Sequence, residues 1–94
     1  MEVSCVQRAM REAFYERDDA RGVHATFTWL VEEVGELAKA ILEGDRERAS
    51  EEIADVIAWT LSVANLLGID VERALELKYG LELGRSKCSP SPTP

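Results

Sequence analysis

The 94-residue sequence predicts an all-α fold, an antiparallel bundle of about four helices completed by oligomerisation. Three observations lead there. Apolar residues recur at three- and four-residue spacing, Gly and Asp punctuate the periodic stretches, and no run alternates in the way a strand requires. One domain is expected over residues 1–87, followed by a disordered tail over 88–94 that is rich in Ser and Pro and lacks apolar residues to bury. A chain this short buries only about 60 to 65% of its unfolded surface on folding, which is the reason to expect a partner copy.

Val3, Val6, Met10, Ala13 and Phe14 give the first helix about four turns, with Arg8, Arg11, Glu12 and Glu16 on its other side. Residues 18–25, with Gly22, read as a connection, and Thr26 or Thr28 is expected to cap the second helix by accepting from a free backbone N–H. The second helix runs to about Glu43 on a stripe of Leu30, Val34, Leu37 and Ile41, flanked by Phe27, Val31, Ala38 and Leu42. Gly44 then stops it and Asp45 starts the third, from about Arg46 to Leu67. Gly68 and Asp70 repeat that signal before a short fourth helix ending near Gly80.

Eleven basic residues against eighteen acidic ones give a formal charge of -7, which argues against binding a nucleic-acid backbone, since that needs surplus Lys and Arg. From Ile53 to Ile69 the only ionisable residue is Asp55, but seventeen residues with a charge inside fall short of the roughly 20 apolar residues of a membrane span. Cys5 and Cys88 lack metal-type spacing and are expected as free thiols in a reducing compartment. With no apolar core of a signal peptide near the N-terminus, the cytoplasm is the expected location.

Between Glu32 and Asp55 stand nine carboxylates and three basic residues. Glu32, Glu33 and Glu36 form E-E-x-x-E on the second helix; Glu52 and Asp55 form E-x-x-D on the third. Acids at such spacing usually decorate a solvated face, with a cation three or four residues away. Lys39 can serve Glu36 in that way and Arg48 can serve Glu52, but Glu33 and Asp55 have no cation within their own helices. Steps of 100° place Trp29, Glu33, Glu36 and Ala40 on one stripe and Glu52, Asp55 and Trp59 on another.

An Asp in a nearly uncharged helix must be protonated, paired or bound to a metal. Packing across the Gly44-Asp45 turn can bring the two acidic motifs face to face, and four oxygen donors suit Mg2+, with Mn2+ as a substitute. The single histidine, His24, lies outside both motifs, which excludes a di-iron centre built on two E-x-x-H motifs.

With Trp29 to Ile41 reading W-L-V-E-E-V-G-E-L-A-K-A-I, Glu51 to Asp55 reading E-E-I-A-D, and fifteen residues between Glu36 and Glu52, the sequence resembles the MazG-like all-α nucleoside triphosphate pyrophosphohydrolases from about Arg17 to Lys78. The resemblance implies hydrolysis of a (d)NTP to the monophosphate and pyrophosphate, with water attacking the α-phosphorus. It also implies Mg2+ ligands at Glu33, Glu36, Glu52 and Asp55, and a supporting role for Glu32 in the outer shell or on the attacking water. Trp29, Trp59 and Asn65 become candidates for the base. Arg21, Lys39, Lys78 and Arg85 become candidates for the phosphates, with Lys78 favoured and Glu82 standing where many relatives have Asn. A homodimer or a pair of dimers is expected. The alternatives are a phosphoribosyl-ATP pyrophosphohydrolase and a noncatalytic helical module that binds divalent ions.

Overall fold

A computed structural model describes residues 2–82 and Cys88. Four helices follow one another: α1 (Val3–Arg21), α2 (Val23–Leu42), α3 (Arg46–Leu67) and α4 (Val71–Tyr79). The expected role of Arg85 and the expected disorder of the tail beyond Cys88 fall outside the described residues.

The Gly-Asp signals work as read. Gly44 adopts φ 69° in the turn, and the Asp45 side chain accepts from Arg48 N at 3.0 Å to cap α3. Asp70 caps α4 in the same manner, accepting from Arg73 N at 3.2 Å. The first connection is different, because it shrinks to Gly22, whose φ of 92° turns the chain between two helices that otherwise abut. Residues 18–21 contain no helix breaker, and Asp18 pairs with Arg21 at 3.0 Å, so α1 continues through them. Neither threonine caps α2. The Thr26 hydroxyl donates to Gly22 O (2.8 Å) and the Thr28 hydroxyl to His24 O (2.9 Å), both bonding backward along the helix.

The centre of the packing is α2 against α3, with α1 laid across α3 and α4 against α1. Among the described residues its buried apolar side chains are few: Ala40, Leu61 and Ala64. On α2 only part of the apolar stripe turns inward: Leu30 and Leu37 are half-buried, while Val34 is exposed. Phe27 and Val31 are each 53% exposed and Ile41 64%, while Thr26 and Ala40 are buried and Glu33, Glu36 and Leu37 half-buried. Two carboxylates thus share the inner face while Phe27, Val31 and Ile41 stay outside, against what apolar burial within one chain would select.

On α1 the buried row is polar as well: Ser4, Gln7 and Asp18. Gln7 explains this by stitching the α3–α4 corner, where the helices meet at 98°. Its Nε2 donates to Asn65 Oδ1 (3.0 Å) and Ile69 O (2.7 Å), and its Oε1 accepts from Val71 N (3.1 Å). Asn65 Nδ2 returns a bond to Gln7 O at 3.2 Å, so the buried amides satisfy one another and the open backbone of the corner.

The cysteines are not free. Cys5 and Cys88 form a disulfide with Cα atoms 4.9 Å apart, despite a sequence separation of 83. Packing of α4 on α1 returns the chain to the first turn of α1, a proximity that spacing along the sequence does not reveal. The bond also removes the argument for a reducing compartment, which rested on free thiols. Among the described residues no single helix is long and apolar enough to cross a membrane; α3 and α4 reach that length and composition only together, across their bend.

Candidate functional site

The antiparallel α2–α3 turn brings together acids that are far apart in sequence. One carboxylate oxygen from each of Glu33, Glu52 and Asp55 falls in a group whose members all lie within 4.8 Å of one another. Two of these residues come from α3 at i and i+3, one turn apart on a single face, and the third comes from α2. Oε2 of Glu52 is buried and has no hydrogen-bond partner among the described residues. The Glu33 carboxyl is pushed up from 4.5 to about 7, first by a hydrogen bond with Glu52, then by burial, then by the charges of Glu52 and Asp55. Three acids crowded at this distance concentrate negative charge that a cation would offset.

Glu36 stands apart from that group. Its Oε2 accepts from Arg48 Nη2 at 2.6 Å, and Arg48 Nη1 reaches Glu43 Oε1 at 3.4 Å. The sequence pairing of Lys39 with Glu36 and of Arg48 with Glu52 is therefore corrected. Helical side chains lean toward the N-terminus, so Arg48 reaches back across the turn to α2 instead of forward to Glu52. Glu32, one residue before Glu33, is exposed and outside the converging oxygens, as is Lys78 on the last turn of α4.

The tryptophans do meet. The rings of Trp29 and Trp59 stack with centroids 6.4 Å apart and an interplanar angle of 22°, next to the acids with which they alternate in sequence. The Arg21 guanidinium lies 4.9 Å from the Trp59 ring centroid and also bonds Asp18 and Thr26, so it is held in place against Trp59. Asn65, expected at the base, is buried with its amide engaged by Gln7 at both ends.

Sequence reading missed Asp18, which is 3% exposed and lines a cleft of about 180 Å³ between α1 and α3 together with Asp55 and Trp59. It lay hidden in a stretch read as a loop. Its only signal was Arg21 three residues on, a partner that would have been legible had the helix been extended to Gly22.

Comparison with known proteins adds two findings. Residues 21–78 match the MazG nucleotide pyrophosphohydrolase domain. A dATP/dGTP diphosphohydrolase of Cyanophage S-2L is 39% identical over 61 residues, which are 65% of this chain and 54% of that protein. The chain thus spans about half the length of the curated relative it matches. The match from residue 21 to 78 covers well over half of the sequence and contains all of the converging carboxylates and both tryptophans, and on that ground the chain belongs to the MazG nucleotide pyrophosphohydrolase domain family.

Proposed function

We propose that the chain is a Mg2+-dependent nucleoside triphosphate pyrophosphohydrolase, converting a (d)NTP and water to the (d)NMP and pyrophosphate by attack of water at the α-phosphorus. The observation that carries this reading is the convergence of carboxylate oxygens from Glu33, Glu52 and Asp55, beside which Glu52 also has a buried Oε2 with no hydrogen-bond partner among the described residues. An all-oxygen donor set with a buried unsatisfied carboxylate oxygen fits Mg2+, or Mn2+ in its place.

Glu33, Glu52 and Asp55 would hold the ion, and Glu36, whose Oε2 is bonded to Arg48, is the candidate fourth ligand. When bound, the ion neutralises phosphate oxygens and acidifies a water. Glu32 sits one residue from the ligands and is the candidate to orient the attacking water from the outer side. Trp59, backed by the stacked Trp29, is the candidate aromatic contact for the base, with Lys78 and Arg85 as candidate phosphate contacts. Asn65 leaves the substrate set, its amide being engaged elsewhere.

The exposed stripe of Phe27, Val31, Val34 and Ile41 supports assembly into a dimer or a pair of dimers, because that much contiguous apolar surface is uncommon on a monomer. To test the activity, the protein is incubated with Mg2+ and a panel of NTPs and dNTPs, beginning with the purine deoxynucleotides that the relative's name points to. Monophosphate and pyrophosphate are expected in equal amounts, with a loss of about 100-fold or more in Asp55→Asn and Glu52→Gln. Activity surviving both changes contradicts the site. Turnover of phosphoribosyl-ATP alone would instead favour that substrate.

A further inference from the structure

The cleft between α1 and α3 shares Asp55 with the carboxylate group and Trp59 with the aromatic pair. Its opposite wall comes from α1: Met10, Phe14, Arg17 and Asp18. All four precede residue 21, where the family match begins. The acids therefore come with the family's common core, while this wall is made by sequence outside it. At about 180 Å³ the cleft is smaller than the roughly 300–1,000 Å³ of sites that enclose a whole drug-sized ligand. It has room for one ring system, leaving the phosphates to the neighbouring carboxylates and their ion.

We propose that this cleft holds the nucleobase and that Asp18 selects guanine, an inference that rests on the nucleotide-hydrolysing reading above. A carboxylate offers acceptors and no donors. Guanine presents N1–H and its 2-amino group side by side on one edge. Adenine and cytosine set a ring-nitrogen acceptor beside the amino group, and thymine and uracil flank one N–H with two carbonyl oxygens, so each of these puts lone pairs against the carboxylate. Asp18 is buried, with 3% of its surface exposed, and fixed through Oδ1 by Arg21 at 3.0 Å; each carboxylate oxygen keeps capacity for a further bond. Arg21 in turn rests on Trp59, which ties the orientation of Asp18 to the opposite wall. Met10, Phe14 and Ala58 supply the apolar contact a base needs for its faces.

The test uses nucleosides, which carry no phosphate, so that it does not depend on the ion. The full chain is titrated calorimetrically with 2′-deoxyguanosine, 2′-deoxyadenosine and 2′-deoxycytidine in the absence of Mg2+. Deoxyguanosine is expected to bind about 10-fold or more tightly than the others, and Asp18→Asn is expected to reduce that preference to about threefold or less. Met10→Trp, which fills the cleft from α1, is expected to weaken all three. Equal affinities, absence of binding by all three, or a guanine preference that survives Asp18→Asn overturns the proposal. If circular dichroism shows that Asp18→Asn does not fold, Met10→Trp decides: unchanged deoxyguanosine affinity overturns the cleft assignment. Nucleoside binding as expected without Mg2+-dependent hydrolysis would refute the activity and leave the cleft standing; hydrolysis without nucleoside selectivity would do the reverse.

Discussion

Glu33 has an ordinary carboxyl value of 4.5 that the folded chain raises to about 7, the hydrogen bond with Glu52 contributing most. Between those values the folded protein keeps a proton that the unfolded chain has released, so stability falls as pH rises from about 4.5 to about 7 and is level above. Metal-free Glu33→Gln is therefore expected to melt above the unsubstituted protein at pH 8, with the gap closing toward pH 4.5 in a calorimetric series. Added Mg2+ is expected to reverse the order at pH 8, since it stabilises only a protein that can bind it. Glu33 and Asp55 were legible in the sequence because neither has a cation within a helical turn. The Glu36–Arg48 bond was not, because it crosses from α2 to α3 and depends on which way Arg48 leans.

The α2–α3 hairpin was the most legible part of the fold, since Gly44 and Asp45 encode a stop and a start in adjacent positions. Replacing Asp45 by Ala removes the acceptor for Arg48 N and is expected to cost about 1 kcal/mol, a drop of about 4–8 °C in melting temperature. The α1–α2 junction was less legible: the helix-compatible residues 18–21 were read as a loop, and the break is one glycine. The faces of α2 were the hardest to assign. Periodicity shows that an apolar stripe exists, but not whether it meets the same chain or another one. In this fold the acids face α3, and Phe27, Val31 and Ile41 stay exposed. Val31→Asp is accordingly expected to lower the mass seen in light scattering at micromolar concentration while helical content is kept. An unchanged mass would remove the role given to that face.

For the molecule as a unit, the disulfide closes nearly the entire chain on itself by joining α1 to the segment beyond α4. In the chain-entropy account a loop of this length restricts the unfolded state strongly, and losing the bond is expected to cost about 2–5 kcal/mol. Cys5→Ser, or reduction with a dithiol, is expected to lower the melting temperature by about 10 °C or more. The small, polar core makes that constraint matter, as its buried positions hold Ala40, Gln7, Thr26 and Asn65 where larger domains hold bulky aliphatic side chains. Neither the disulfide nor the Gln7–Asn65 stitch could be read in advance, since both join residues whose proximity exists only after the helices have packed.

An Mn2+ titration followed by electron paramagnetic resonance, with no substrate present, tests the role of the acids joining α2 to α3 as ion ligands. Saturable binding at pH 8 is expected for the intact chain, with a loss of about 10-fold or more in affinity for Glu52→Gln and for Asp55→Asn. Equal Mn2+ binding by all three proteins would contradict it.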